Sequence, residues 1–272
     1  MDIARGFVRD CPRRDAGTPG GHSAARWIFS KANCLGCDAQ IDRFTGETPD
    51  GVKRFANVRV ELPSPDPSAP WIILSSHFDT KAGLPAQFTG ANDGASSTAL
   101  LLELAHLLRR AGRSKEFSIE IAWFDGEECA GARYAANDGL HGSRHEAARF
   151  KKLGRKVAAM LNFDMIGDRD LSISVPLNST ESLRKTVLAA AEKEGLSATV
   201  SLSSEIVRDD HEQFLLAGFP AADLIDFEFG SAPGLNDWWH TVHDNIDNIS
   251  AESLAKAGRL AIAILRELGY KP

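Results

Sequence analysis

The sequence predicts an α/β protein: a single domain with a central twisted, mixed and mostly parallel β-sheet flanked by helices. Three observations carry this. Segments of strand pattern alternate with segments of helical pattern along nearly all 272 residues. Several strand segments, among them Trp71–Ser76 (WIILSS), Val157–Phe163 and Pro220–Ile225, are short apolar runs bounded by polar residues, the mark of strands buried on both faces. Acidic and histidine residues recur where such runs end, and the ends of strands are where open α/β sheets bind ligands.

The elements follow in order. Residues 1–20, with DCPRRDAGTPG at 10–20, read as an irregular N-terminal segment. A first helix is expected over His22–Lys31, with Ala24, Ala25, Trp27 and Ile28 turned inward. Asp38–Phe44 and Asn57–Leu62 alternate as strands, and PSPDPSAP (63–70) is too rich in proline for an element interior. The strand Trp71–Ser76 ends in His77-Phe78-Asp79. A loop from Thr80 to Asn92 closes at Asp93-Gly94 and leads into a helix, Ala95–Arg110, whose apolar face holds Ala99, Leu102 and Leu107. The strand Ile119-x-Ile121-x-Trp123 runs into Asp125-Gly126-Glu127-Glu128, where Gly126 permits a sharp turn. A loop at 132–145 precedes a helix over Glu146–Lys152, and the strand Val157–Phe163 ends at Asp164. A strand at Leu171–Val175, an amphipathic helix at Ser182–Glu194 and a strand at Ala198–Leu202 come next. Asp209-Asp210-His211 introduces a short helix through Ala217, and the strand Pro220–Ile225 leads to an aromatic loop with Trp238, Trp239 and His240. A C-terminal helix is expected over Ala251–Leu268. No repeat or linker divides the chain, so residues 1–272 are expected to form one domain.

Composition narrows the function classes. The chain is 43% hydrophobic and 25% charged, ordinary for a globular protein, and its net charge of −6 lacks the basic footprint of a nucleic-acid binder. No apolar run reaches membrane-spanning length, so no membrane partner is expected. The N-terminus has no apolar signal core. A periplasmic or secreted location is therefore expected only if a leader has been removed, and a cytoplasmic one otherwise. Four cysteines are no disulfide scaffold in a chain this long. Cys34 and Cys37 form a CxxC with no second pair at zinc-finger spacing, so a local disulfide or two plain thiols is expected before a structural metal.

The chemistry lies in the acids and histidines. Glu127 and Glu128 repel each other at the end of an apolar strand, where both are partly desolvated; a cation between them, or a proton on one, relieves this. A metal ligand beside a general base satisfies the condition, and a solvated acidic turn is the plainer alternative. Asp93 stands just before a helix, where an N-cap is the common use of Asp and a metal ligand the sharper one. Together His77, Asp93, Glu128, Asp164 and His240 supply two imidazoles and three carboxylates, a donor set that suits zinc. Asp79, two residues past His77, is placed to accept the other imidazole N–H, the usual support of a metal-binding histidine. Glu127 is then free to move protons.

The motifs SHFDT (76–80), GANDGASS (90–97), WFDGEEC (123–129), NFDMIGD (162–168), DDHEQF (209–214) and WWHT (238–241) resemble, in this order, those of metallopeptidase family 28, which contains zinc aminopeptidases and glutaminyl cyclases. The resemblance runs from about Pro12 to Tyr270. DGLHGSRH (138–145), the doubled acid of DDH and Trp239 before His240 resemble the cyclase branch. The resemblance implies a zinc-exopeptidase (phosphorylase/hydrolase-like) fold and one zinc, or two. Asp93, Glu128 and His240 would hold the common zinc; His77 and Asp164, with Asp93 bridging, would hold the second that aminopeptidases use. Glu127 would be the general acid/base, Asp209 would hydrogen-bond near Asp164 and the base, and Trp239 and Phe229 would line the substrate pocket. The implied substrates are peptide or protein N-termini. In the cyclase reaction an N-terminal Gln becomes pyroglutamate and ammonia leaves; in the aminopeptidase alternative a water deprotonated by Glu127 attacks the first peptide bond. A non-catalytic binding module on the same fold is the remote third reading. Three departures from animal cyclases bear on substrate: CAGARYAAN (129–137) lacks their Trp, Asp223 stands where they have His, and FEFGSAPGLND (227–237) is longer.

Overall fold

The computed structural model describes all 272 residues. Its eight strands form one mixed sheet in the order β1-β2-β4-β3-β5-β8-β6-β7. The centre is parallel: β3 (Trp71–His77) lies between β4 (Ser118–Phe124) and β5 (Val157–Asp164), and β8 (Ala221–Ile225) continues it. Every residue of β3, β4 and β8 is buried, as continuous apolar runs require. An antiparallel hairpin, β1 (Ala39–Thr48) with β2 (Gly51–Leu62), joins β4 on one side. The short β6 (Ile173–Val175) and β7 (Val200–Leu202) close the other.

Helices cover both faces. Side chains alternate along a strand, so Ile72 and Leu74 of β3 enter the main core while Ile73 enters a second one. The main core packs against α2 (Pro19–Cys34), α3 (Ser97–Ala111), α5 (Glu181–Lys193) and α7 (Ala251–Glu267). The second packs against α4 (His141–Lys152) and α6 (His211–Leu216). Capping sets where helices begin: Thr18 accepts the Gly21 N–H ahead of α2, with Pro19 at the first position, and Ser250 accepts the Ser253 N–H ahead of α7.

Besides shifts of two or three residues at α2, β6 and β7, three larger differences from expectation stand out. Residues 1–20 are not wholly irregular: Asp2–Asp10 form a helix, α1, whose Ala4, Phe7 and Val8 are buried. The hairpin strands run on to Thr48 and from Gly51, with Thr48 paired to Gly51 across the turn, because ladder hydrogen bonds satisfy this polar stretch without an apolar pattern. Helix α4 starts at His141, inside the stretch read as a loop.

Candidate metal centre and active site

The ends of β3, β4 and β5 and the turn before α3 bring the acids and histidines together. His77 closes β3, Asp164 closes β5, and Glu127 and Glu128 follow β4. Asp93 does not cap α3. It sits at φ −79°, ψ 98° in a π-helical turn, Ala91–Ser96, and Ser96 takes the N-cap position of α3. Its carboxylate instead spans two histidines: Oδ1 is 3.1 Å from His77 Nε2 and Oδ2 is 3.2 Å from His240 Nε2. The other oxygen facing His77 Nε2 is Asp164 Oδ1 at 3.1 Å; the other facing His240 Nε2 is Glu128 Oε1 at 3.0 Å. Two three-residue groups result, His77–Asp93–Asp164 and Asp93–Glu128–His240, each with its ligand atoms within 4.8 Å of one another. All five candidate ligands therefore converge, with Asp93 common to both groups.

The donor set fits a divalent cation. Each Nε2 faces two carboxylates but carries at most one proton, so one acceptor is left short. Asp93 Oδ2 is buried without a hydrogen bond. The charges around the group carry the same strain. Burial opposes charge on His77, yet the charge of Asp164 and the hydrogen bond to it, with the carboxylates of Asp79 and Asp93 close to the ring, hold the imidazole well above its ordinary value. Burial likewise opposes charge on His240, but Asp93 and Glu128 lift it to about 10. Burial, with the Asp93 charge, pushes Glu128 up to about 7 despite His240. A cation among these atoms would replace the protons that the group otherwise has to hold.

The backbone is strained at this site. Only four non-glycine residues have positive φ, and two are His240 (56°) and Met165 (52°), the latter directly after Asp164. Gly94 has φ +88°, and a Cβ there would stand 3.2 Å from His77 Cε1. Asp244 accepts the N–H groups of Asn92 and Asp93 at 2.6 and 3.2 Å, and Asn92 Oδ1 accepts the Gly167 N–H at 2.7 Å, so the Asp93 turn is tied to the Asp164 loop. Gly126, at φ +79°, would bring a Cβ to 2.8 Å from the Phe55 ring. Gly126→Ala is therefore expected to cost about 1–3 kcal/mol of stability, measurable by urea unfolding.

Two supporting roles differ from expectation. Asp79 lies 3.5 Å from His77 Nδ1, and Nδ1 makes no hydrogen bond; the Asp79 carboxylate instead accepts the Glu127 and Glu128 N–H groups, at 3.1 Å each. Asp79 thus anchors the turn that presents the two glutamates. Asp209 makes no hydrogen bond to Asp164. Its Oδ1 accepts the Asp210 N–H, its Oδ2 has no partner, and burial followed by the charges of Asp223, Asp164 and Glu127 keep its carboxyl well above the usual range. Asp223 belongs to a ladder across three strands: it accepts from Asn162 at 3.2 Å, and Asn162 accepts from Ser75 at 2.9 Å.

These groups open into a cavity of about 260 Å³ with Asp93, Glu127, Glu128, Asp164 and Asp209 in its lining. Trp239 forms one wall, its ring 4.1 Å from that of His240 and edge-on to Phe227 at 5.8 Å. Phe229 does not line it. That ring is fully buried with Met165, Ile225 and Trp238, and Phe227 stands in the wall instead. Glu127 belongs to neither ligand group; burial first, and then the charges of Glu128 and Asp210 against that of His77, hold it well above its ordinary value. Cys34 and Cys37 are free thiols at the end of α2 and just beyond it. A larger groove of about 700 Å³, lined by α1, α3 and α7, has no such convergence of ligand atoms.

Sequence reasoning missed Tyr134, Phe227, Lys81 and Asp244. Tyr134 lines the cavity from an aperiodic loop, and its hydroxyl donates to Glu127 Oε1. Lys81, directly after the SHFDT motif, is buried with Nζ 2.6 Å from the Cys129 carbonyl and 3.6 Å from Glu128 Oε2. No periodic pattern marks any of the four; Lys81, Phe227 and Asp244 acquire their places through contacts distant in sequence, and Tyr134 through the path of its own loop.

Residues 57–265 match the model of Peptidase family M28. The chain is 28% identical over 270 residues to the glutaminyl-peptide cyclotransferase of Drosophila melanogaster, covering 88% of this chain and 73% of that protein. It superposes on the crystal structure of an Acidobacteriales bacterium glutaminyl cyclase with a TM-score of 0.86 and 35% identity, over 98% of this chain and 92% of the other. A Zn-dependent exopeptidase from Parabacteroides distasonis shares the fold at TM-score 0.79 and 21% identity, over 98% and 97% of the two chains. With the family's motifs in order and its zinc-exopeptidase-like fold around them, this chain belongs to peptidase family M28, and it is an enzyme resembling the family's glutaminyl cyclases.

Proposed function

We propose that the protein is a zinc-dependent glutaminyl-peptide cyclotransferase, converting the N-terminal Gln of peptides to pyroglutamate with release of ammonia. One observation carries the chemistry: Glu127 lines the same cavity as the candidate ligands but belongs to neither ligand group, so it remains free to move a proton. The relatives named as glutaminyl cyclases support the reaction assigned to it.

Asp93, Glu128 and His240 would hold the zinc, which when bound supplies Lewis-acid polarisation of the γ-amide carbonyl. The protein's own groups do the rest. The acid-lined cavity draws in the cationic N-terminus, which gives one proton to solvent so that its nitrogen carries a lone pair. Glu127 accepts the second proton from this α-amine as its nitrogen bonds to Cδ, the carbonyl carbon of the γ-amide. It returns the proton to the amide nitrogen as the C–N bond breaks and ammonia departs. Burial raises the Glu127 carboxyl, so it holds the proton more firmly between the two transfers than a solvated carboxyl would. Trp239, Phe227 and Tyr134 narrow the cavity and limit the water that would turn cyclisation into hydrolysis.

The aminopeptidase reading stays in play because the second group, His77–Asp93–Asp164, is complete and could hold a second zinc. Zinc-loaded protein incubated with Gln-initiated and Leu-initiated peptides and read by mass separates the two. The expected result is a Gln-peptide lighter by one ammonia, an intact Leu-peptide, and one tightly held zinc. A shortened Leu-peptide with an unchanged Gln-peptide, on a protein holding two zincs, would reverse the assignment. The non-catalytic module is disfavoured by a ligand set and a proton-transfer group that are both intact.

A further inference from the structure

We propose that Tyr134 is the positioning residue of this site: its hydroxyl fixes the carboxyl of Glu127, and its ring supplies the wall that the loop after Glu128 otherwise lacks. The proposal rests on the reading of Glu127 as the proton-transfer group.

The Tyr134 hydroxyl makes the one hydrogen bond that the Glu127 side chain receives, at Oε1. Oε2 is left for the substrate. A glutamate side chain bends about three torsions, and a group that must meet an amine and then a leaving nitrogen loses rate with each misplaced rotamer. A fixed donor on one oxygen removes that freedom and leaves the other oxygen of this cavity-lining residue without a protein partner.

The loop is built around this ring. Its far end is stitched back to the glutamate turn: Leu140 N–H donates to the Glu127 carbonyl at 2.9 Å and His141 N–H to the Gly126 carbonyl at 2.8 Å. Asp138 clamps the start by accepting the Ala130 and Gly131 N–H groups at 2.6 and 3.1 Å. Gly139, at φ +81°, has the Tyr134 ring only 2.5 Å from where a Cβ would stand, so only glycine lets the ring lie there. The Arg208 guanidinium lies over the ring, 5.6 Å from its centroid. Gly139 and Arg208 thus hold the ring while its hydroxyl reaches Glu127.

Tyr134→Phe keeps the ring and removes the hydroxyl. In zinc-loaded enzyme it is expected to lower kcat for a Gln-peptide about tenfold, as loss of a hydrogen bond to a charged group does, with KM within about twofold and zinc content unchanged. Tyr134→Ala, which also removes the wall, is expected to raise KM as well. A second readout needs no activity. The chain has two tyrosines, and Tyr270 is buried with no side-chain hydrogen bond. Tyr270→Phe protein labelled with 3-fluorotyrosine therefore reports Tyr134 alone by ¹⁹F NMR. Glu127→Ala in that background removes the acceptor and is expected to move the resonance. If wild-type protein makes no pyroglutamate, the proposed function fails, and the ¹⁹F comparison still decides the Tyr134–Glu127 bond. A ¹⁹F resonance that Glu127→Ala leaves in place would overturn the proposal, as would a Tyr134→Phe kcat within twofold of wild type in an active enzyme.

Discussion

Replacing Glu127 with glutamine is expected to lower kcat by about 10²–10⁴-fold and leave the zinc content unchanged. Glutamine keeps the shape of the side chain and still accepts the Tyr134 hydroxyl, but it cannot take up or return a proton. The size follows from the double use of one group, first as base toward the attacking amine and then as acid toward the leaving nitrogen. The zinc should stay because Glu127 is in neither ligand group, and its backbone N–H remains bonded to Asp79. Steady-state kinetics on a Gln-peptide, paired with metal analysis of the same preparation, makes the measurement. A variant that kept its zinc and near-wild-type kcat would show that the proton moves by another route, with Asp209 the next buried acid in the cavity.

The complementary result is expected at His240. His240→Ala should weaken zinc binding by more than about 100-fold, beyond what loss of an outer supporting contact costs. His240 Nε2 is the one imidazole nitrogen facing Asp93 and Glu128 together, at 3.2 and 3.0 Å. Without it the group falls from three donors to two carboxylates, and zinc binding strongly prefers three protein ligands. His240 is also held in place: its backbone is at φ 56°, Trp239 stacks on its ring at 4.1 Å, and Phe88 meets it edge-on at 6.3 Å. Competition with a zinc-binding dye reads the affinity directly. Stoichiometric, tight zinc in His240→Ala would remove His240 from the ligand set and place the metal at His77 and Asp164. The two variants thus move in opposite senses, one losing turnover with metal kept and the other losing the metal.

The sheet's centre was legible because burial on both faces leaves a direct trace: WIILSS allows little but a buried strand, and its observed end at His77 follows. The candidate ligands were legible for a related reason. Strand ends in such a sheet point into one crevice, so His77, Glu128 and Asp164 could be placed together before any contact was known. Helix α1 left a weaker trace, since only Ala4, Phe7 and Val8 of DIARGFVRD are buried. The tip of the hairpin left none, because its strands are held by backbone pairing and its side chains are mostly half-buried or exposed.

What the sequence by itself determined, then, was the order of strands and helices after α1, the chemistry of the donors and the strand ends that carry them, because residue type and local periodicity settle these. The tertiary structure alone decided which of two alternatives each supporting residue takes. Asp93 spans two histidines instead of capping α3 because its turn is pulled in by Asp244, 151 residues away. Asp79 holds the glutamate turn, and Phe227 rather than Phe229 walls the cavity. Tyr134 reaches Glu127 only because Gly139 leaves room for its ring. Each of these depends on distances between segments remote in the chain or on the path of an aperiodic loop, and neither is written in local pattern.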